Sequence, residues 1–304
     1  MNFFDKYLIQ PIFNLLEFIY AVVPGHDLGI AIIIFTALVR LALWPLVKKQ
    51  LHQSRAMRRL QPKLKDIKKS ANGDRQKEAR LQMELYKEHG VKPFSTIGTL
   101  IIQIPIFIAL YQSVLKLVND SNVLLTFSYD FVRDLPWIHQ LAADMSQFSY
   151  YFLGFADLSR KAIGDGGVYV PALIIAVTAA VAQYYQSKLL MVDSKDSKKL
   201  SEIMKEASQG KQADQGEIGA AIGKNMLYFM PFLTFGFTAV FPSALGLYIL
   251  TTSAVGYFQQ AYILRQDKDE MHELAVEGEI IEKQTLKQAK KKKKPSKPKK
   301  RKKK

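Results

Sequence analysis

The sequence predicts an all-α integral membrane protein with five transmembrane helices around a polar groove open to the cytosol, an N-terminal interfacial helix and a cytosolic helical hairpin. Three observations lead to this fold class. Long apolar runs recur along the 304 residues, basic residues concentrate between alternate runs, and polar side chains inside the runs share one depth. The chain is 48% hydrophobic yet carries a formal charge of +16, so apolar and charged segments must be separated along it.

The first apolar run, Leu28 to Leu46, contains 19 residues and a single charged one, Arg40. Nineteen helical residues span roughly 28 Å, about the hydrocarbon thickness of a bilayer. A guanidinium at that depth costs about 2.5–3.5 kcal/mol or more, so it should face protein or water rather than lipid. Snorkelling toward the nearer interface is the alternative, because Arg40 lies roughly 9 Å below that end.

The sequence contains none of the common catalytic or metal-binding motifs. No cysteine is present, which excludes disulfides, thiolate metal sites and a cysteine nucleophile. The five histidines have no ligand-like spacing, and no HExxH, P-loop or GxGxxG pattern occurs. We therefore expect no enzyme activity, no cofactor, no metal site and no small-molecule substrate.

The apolar runs and the charged stretches divide the chain into ten predicted segments. In order they are an external amphipathic interfacial helix 1–27, TM1 28–47, a cytosolic basic helical hairpin 48–92, TM2 94–117, an external region 118–167, TM3 168–190, a cytosolic loop 191–224, TM4 225–241, TM5 244–264 and a cytosolic basic disordered tail 265–304. For residues 1–23 a cleaved or membrane-spanning segment is the alternative. The turn signal near Asp74, a plausible helix cap, divides the predicted helical hairpin.

The charges fix the predicted orientation. Segments 48–92, 192–224 and 265–304 hold 36 basic against 18 acidic residues, whereas 1–27 and 119–166 hold four basic against nine acidic residues. The positive-inside rule then places the N-terminus outside and the C-terminus in the cytosol, as an odd number of spans requires.

Polar side chains in four of the runs fall within roughly 7–12 Å of the predicted cytosolic face. They are Arg40, Gln103, Gln183, Thr251, Thr252 and Ser253. Interhelical hydrogen bonds, worth about 0.6 kcal/mol each, would account for such glutamines and threonines without any groove. No span contains an acidic residue to pair with Arg40, however, so we predict a groove that opens to the cytosol and closes toward the outside.

The chain resembles the YidC-type membrane protein insertases, a family with mitochondrial and thylakoid members. The resemblance rests on four features in the family's order, which cover about two thirds of the chain. They are TALVRLALWPL, the charged hairpin Lys48–Lys92, KPFSTIGTLIIQIPIFIALYQSV, and MLYFMPFLTFGFTAVFPSALGLYILTTSAVGYFQQ.

The resemblance implies a five-helix core with a hydrophilic groove, open to cytosol and lipid, whose arginine receives polar parts of an inserting client. Arg40 matches that arginine, and Gln103 and Gln183 look like groove-lining positions. The implied partners are nascent membrane proteins and the lipid bilayer, alone or with a Sec-type translocon. The implied location is the bacterial plasma membrane, in the minimal form that lacks a large periplasmic domain.

The tail ends in KKKKPSKPKKRKKK, which is expected to be disordered. Its basic residues suit either rRNA phosphates of a translating ribosome, which we favour, or anionic lipid. The contact residues that we predict are Lys291, Lys292, Lys293, Lys294, Lys299, Lys300 and Arg301.

A small transporter or channel with Arg40 as an anion site is the alternative function. It predicts a path through to the outside and repeats of related topology. The sequence shows no convincing internal repeat, and its polar residues stop half way across the predicted membrane.

Overall fold

The computed structural model describes residues 2–91, 97–119, 122–164, 166–190 and 215–266, which are predominantly helical. In chain order the elements are a π-helical turn Asp5–Ile9, α1 Gln10–Val22, α2 Leu28–Ala42, α3 Trp44–Ala71, α4 Arg75–Glu88, α5 Ile97–Asn119, α6 Val123–Thr126, α7 Asp130–Arg133, α8 Pro136–Ala143, a 3₁₀ turn Met145–Gln147, β1 Tyr151–Phe152, β2 Ala156–Asp157, β3 Ile163–Gly164, β4 Gly167–Val168, α9 Val170–Leu190, α10 Gln215–Val240 and α11, residues 243–266. The chain divides into two units, Met1–Gln260 and Ala261–Lys304. In the second, the structure describes only the end of α11, where Gln266 donates to the Tyr262 hydroxyl at 3.0 Å.

The main apolar core belongs to the first unit. One cluster of buried side chains joins α1, α2, α5 and the short helices α6 to α8. Its largest fully buried members include Phe13, Leu16, Ile32, Phe35, Leu110, Leu124, Ile138 and Leu141. The N-terminal helix is therefore packed into the fold along one side, while its Leu15, Phe18 and Val22 are exposed.

Two buried polar residues of α1 hold it against the segment after α6. The Asn14 amide donates to the Phe127 carbonyl at 3.2 Å and accepts from the Tyr129 N–H at 2.5 Å. Ser128 Oγ lies 2.7 and 2.9 Å from the two carboxyl oxygens of Glu17, whose residue surface is only 3% exposed. Burial removes water from this carboxyl group and raises its pKa to about 7, although the Ser128 hydrogen bond opposes the shift.

The first apolar run is not one continuous helix. Helix α2 ends at Ala42, and α3 begins at Trp44 with its axis bent by 59° from that of α2. Pro45, within the first turn of α3, has no N–H for the Leu41 carbonyl, and its ring would clash with that carbonyl in a continuous helix. The single helix of roughly 28 Å expected from Leu28 to Leu46 is therefore divided in two, and α2 alone is only about 22 Å long, whereas the assignment of TM1 to 28–47 stays a prediction.

Helices α3 and α4 pack together around a small cluster centred on Leu60, Leu85 and Val91. Between them the chain turns at Asn72 and Gly73, both with positive φ. The Asp74 carboxylate then accepts the N–H groups of Gln76 and Lys77, both at 3.0 Å, and so caps α4.

Two short β-hairpins follow α8 and form what we call the β segment (residues 150–164 and 166–169). Strands β1 and β2 pair antiparallel with Phe152 opposite Ala156, and β3 and β4 pair with Gly164 opposite Gly167. The first hairpin packs so closely on the start of α2 that a Cβ at Gly29 would overlap the Phe152 ring.

Hydrogen bonds join the β segment to the starts of α2 and α11, and its last residue leads directly into α9. Asp27, which caps α2 through the Ile30 N–H, also accepts the Leu153 N–H at 2.6 Å. The N–H groups of Ser243 and Ala244, the first residues of α11, donate to the carbonyls of Arg160 and Leu158 at 2.9 and 3.0 Å. Just before α9, Tyr169 donates its N–H to the Ala162 carbonyl at 2.9 Å. The β segment thus holds the starts of α2, α9 and α11 together, and its Lys161 pairs with Pro242 in the two-residue connection that follows α10.

Among the described residues, one helix is by itself long and apolar enough to cross a membrane: Val170–Leu189, with a mean hydropathy of 1.2. The bent pair Leu28–Ala42 and Trp44–Leu64 would be a second if it forms one span. Shorter apolar helical stretches occur at Ile102–Leu117 and Leu227–Val240. Helix α10 begins at Gln215, ten residues before the predicted start of TM4.

Candidate functional site

Arg40 lies in the last turn of α2, and only 7% of its surface is exposed. Its Nε atom has no hydrogen-bond partner among the described residues, and the salt bridges of the described part involve other side chains. Its backbone carbonyl accepts a hydrogen bond from Gln259 Nε2 at 3.2 Å, which joins α2 to α11. The structure therefore holds a cation inside the protein without a described carboxylate beside it.

Gly256 provides the space into which the guanidinium fits. A Cβ at this position would stand 3.0 Å from Arg40 Nη2 and would overlap Nε2 of Gln186, a buried residue of α9. Side chains from α2 and α9 thus meet the bare backbone of α11 at the same point. Only glycine leaves this space free.

Gln103 contributes to the same region from α5. Its Nε2 donates a hydrogen bond to the hydroxyl of Tyr248 on α11. Tyr248 is buried, and its hydroxyl group lies close enough to Arg40 for the two to interact electrostatically. The Tyr248 hydroxyl therefore lies between the Gln103 amide and the Arg40 guanidinium and interacts with both.

Gln183 of α9 contacts the face of α11 that carries Gly256, about one turn before that glycine. The Ser253 hydroxyl donates to Gln183 Oε1 at 2.9 Å, and Gln183 Nε2 lies 3.4 Å from Ser187 Oγ. Gln183 and Gln186 are three residues apart on α9, as Ser253 and Gly256 are on α11. Residues at this spacing share a helix face, so two successive contacts connect the two helices.

The two predicted threonines behave differently from each other. Thr251 donates its hydroxyl hydrogen to the Leu247 carbonyl of its own helix at 2.8 Å, so this donor is already used. Thr252 Oγ1 is buried, faces Tyr248, and forms no hydrogen bond of ordinary geometry with the described residues. The structure brings Thr252 next to the Gln103–Tyr248 pair, whereas it turns Thr251 toward its own backbone.

Sequence reasoning missed three members of this cluster: Tyr248, Gln186 and Gly256. The i, i+3 repeat of Gln183 to Gln186 and of Ser253 to Gly256 could have revealed the last two, because each continues a predicted polar face. Tyr248 continues no polar face, and an aromatic residue in an apolar helix usually packs in a core, so its residue type alone did not predict a place in the cluster.

The arrangement offers donors to an incoming acceptor. Arg40 supplies a guanidinium with a free Nε–H, and the surrounding amides and hydroxyls come from α5, α9 and α11. In the described part of the chain no three His, Asp or Glu side chains are placed to hold a metal ion. The predicted tail contacts, Lys291 to Lys294, Lys299, Lys300 and Arg301, lie outside the described residues.

Comparison with known families decides what kind of protein carries this cluster. The model of the 60Kd inner membrane protein family matches residues 18–270, which is most of the chain. The chain belongs to this family. The match includes the whole arginine cluster from Arg40 to Gln259 but does not reach the lysine-rich end of the tail.

The similar proteins include bacterial insertases. Membrane protein insertase MisCA of Bacillus subtilis (strain 168) is 29% identical over 251 residues, covering 81% of this chain and 74% of that protein. Membrane protein insertase YidC of Streptomyces avermitilis is 27% identical over 257 residues, covering 82% of this chain and 55% of that protein. The similarity to YidC of Psychromonas ingrahamii is 28% over 278 residues and covers 91% of this chain but only 38% of that longer relative.

These relatives confirm the resemblance seen in the motifs. The chain is a mostly helical bacterial membrane protein of the YidC family. The exposed apolar side chains of α9 and α10 suit a lipid environment, since soluble monomers rarely expose so many together; they include Ile174, Val177, Val181, Phe229, Phe232 and Leu233.

Proposed function

We propose that this protein is a membrane protein insertase that helps hydrophobic segments with short polar flanks enter and fold in the bilayer. The observation that carries the proposal is the unpaired Arg40 guanidinium, buried against Gly256 and surrounded by amide and hydroxyl groups. The relatives named membrane protein insertase support the same function.

The proposal assigns five spans to the described helices. They are α2 with the first turns of α3, α5, α9, α10 and α11. The charge asymmetry of the sequence places the N-terminus and the β segment outside, and the α3–α4 hairpin and the tail in the cytosol. The polar cluster then lies nearer the cytosolic face, at the end of α2 that precedes the bend.

Insertion in this proposal needs no covalent step. A polar flank entering the groove from the cytosol gives its carbonyl or carboxylate oxygens to Arg40 and the neighbouring amides. Those contacts offset part of the free energy that the flank loses when it leaves water. The apolar part of the client leaves sideways into lipid, so the protein lowers a barrier and is not an enzyme.

The same proposal names the partners. Nascent membrane proteins are the clients, and they arrive with a translating ribosome, alone or beside a Sec-type translocon. The lysine-rich tail binds rRNA phosphates, a contact that depends on salt and not on sequence.

A transporter with Arg40 as an anion site remains the second candidate from the sequence. The buried side chains of α2 on the outer side of Arg40 weigh against it. Leu28, Ala31, Ile32 and Phe35 are fully or almost fully buried apolar residues of the main core. A through path would need polar groups or water there.

The test is insertion into liposomes that contain only this protein, with two matched clients whose flanks differ by one acidic residue. Arg40→Ala should reduce insertion of the acidic client most, while Arg40→Lys keeps much of it, because clients vary and need a charge rather than a fixed fork. Thr251→Ala is the matched control, since that hydroxyl already bonds its own helix. Unchanged insertion of both clients by folded Arg40→Ala protein would remove Arg40 from the mechanism.

A further inference from the structure

The β segment exposes large apolar side chains at its turns. Leu153 and Phe155, at the first hairpin, are 59% and 61% exposed, and Ile163 and Val168 of the second hairpin are exposed as well. Leu153 has a φ of +51°, a conformation that water-facing turns usually assign to Gly, Asn or Asp. The large exposed surface of this leucine suits an apolar medium better than water.

The hydrogen bonds of the β segment set the depth of these tips. Leu153 is bonded to Asp27, directly before α2 begins, and Tyr169 directly precedes α9. The carbonyls of Arg160 and Leu158 are bonded to the first two residues of α11, which the short connection 241–242 joins to the end of α10. In a membrane, all these helix ends lie where hydrocarbon gives way to headgroups, so the tips lie at the same level.

Two basic side chains accompany the tips. The Arg160 guanidinium lies 4.1 Å above the centre of the Tyr169 ring, and Lys161 is exposed next to it. Neither forms a salt bridge with a carboxylate of the described residues, whereas Arg133, elsewhere on the same side, pairs with Asp130 at 2.5 Å. A guanidinium stacked on a ring keeps its N–H edge free to bind a phosphate.

We propose that the tips of the β segment enter the headgroup layer of the outer leaflet, where Arg160 and Lys161 bind phospholipid phosphates. The proposal rests on the orientation given under the proposed function. It assigns the β segment the role of a lipid contact that holds the outer ends of four spans at a fixed depth.

A phospholipid suits this surface better than a protein partner does. Val168 of the second hairpin is followed in the chain by Val170 and Ile174 of α9, whose side chains are exposed as well. Apolar side chains beside the two cations also match the two ends of a lipid, the acyl chain and the phosphate.

Spin labels test the depth of the tips, because the chain has no cysteine of its own. Full-length Leu153→Cys and Phe155→Cys proteins are labelled in vesicles of phosphatidylethanolamine and phosphatidylglycerol. Ser146→Cys, at an exposed residue of the 3₁₀ turn, is the matched control.

Oxygen should reach the tip labels better than a water-soluble nickel chelate does, and the control label should show the reverse. Equal access of the nickel chelate to all three labels would overturn the proposal, and so would protection of the tip labels from both reagents, which indicates contact with a second copy.

A second variant tests the phosphate contact. Arg160→Gln with Lys161→Gln should raise access of the nickel chelate to a label at Leu153 several-fold toward the Ser146 level, because each basic residue strengthens attraction to an anionic surface about fivefold. An unchanged depth would remove the phosphate contact. Insertion by the Arg40 variants is measured separately, so failure of either depth test leaves the proposed function standing.

Discussion

Gly256 of α11 lies so close to Arg40 of α2 that an added Cβ would stand 3.0 Å from Nη2. This separation is shorter than an ordinary van der Waals contact, and the same carbon would overlap the Gln186 amide of α9. The guanidinium therefore lies against backbone, and the geometry of the polar cluster around Arg40 depends on a residue that itself carries no polar side chain.

Gly256→Ala should displace Arg40 and Gln186 and lower insertion of an acidic client toward the level of Arg40→Ala. The clash is expected to cost about 1–3 kcal/mol of stability, as overpacking usually does. Gly236→Ala in α10 is the control, because no atom lies within 4 Å of the added carbon. Insertion rates and thermal unfolding in detergent measure both effects. Equal behaviour of the two variants would mean that Gly256 does not shape the site.

Glu17→Gln should stabilise the protein at pH 8 and have little effect at pH 4.5. The folded-state pKa of about 7 exceeds the ordinary value of 4.5, so the folded state binds the proton more tightly. Stability from this carboxyl group is therefore present at acidic pH and is lost as the pH rises from 4.5 through 7. The full effect is up to about 3 kcal/mol at 1.36 kcal/mol per pKa unit.

The measurement for Glu17 is the unfolding temperature in detergent across this pH range. Asp66→Asn, at an exposed position of α3, is the control and should leave the pH profile unchanged. A wild-type profile in Glu17→Gln would show that the buried carboxyl group does not titrate in this window.

The proposed orientation predicts opposite labelling of two exposed residues. In intact cells a membrane-impermeant thiol reagent should label Ser146→Cys, which follows α8, but not Lys77→Cys, which lies in α4. The pattern should become equal once the membrane is permeabilised. Labelling of Lys77→Cys alone would reverse the assignment of the two sides.

The basic tail is expected to bind ribosomes without contributing to the fold. Deletion of residues 290–304 should weaken ribosome binding while the unfolding temperature and membrane residence stay unchanged. Binding by the full chain should fall steeply between about 50 and 200 mM salt, because phosphate contacts release counterions. Retained, salt-insensitive binding by the shortened protein would exclude the tail from this contact.

Residue type and depth were enough to predict part of the site. An arginine inside an apolar run must avoid lipid, and its side chain does lie against protein. Gln183 was expected at the same depth as Ser253, and the two are hydrogen-bonded. Depth follows from counting residues at a constant rise, so a sequence can supply it.

Direction around the helix axis and close backbone contacts were harder to predict. Thr251 and Thr252 are neighbours in sequence, yet one bonds its own helix and the other faces Tyr248. The role of Gly256 depends on which side chains of other helices point at it, a tertiary property. The break after Ala42 was missed because hydropathy averages over Pro45, whereas the hydrogen-bond pattern of the backbone does not.

The β segment is hydrogen-bonded to the starts of α2 and α11 and leads directly into α9, so these three helices are held together at one end. If the helices tilt apart, the distance between them increases in proportion to the distance along each helix from the β segment. Helix α9 is about 31 Å long, so tilting it by about 10° would move its far end about 5 Å while its start stays in place. That displacement is close to the width of one extended strand, about 4.7–4.9 Å. If helices anchored in this way tilt apart, the gap between them is widest at the end where Arg40 lies and narrowest at the β segment.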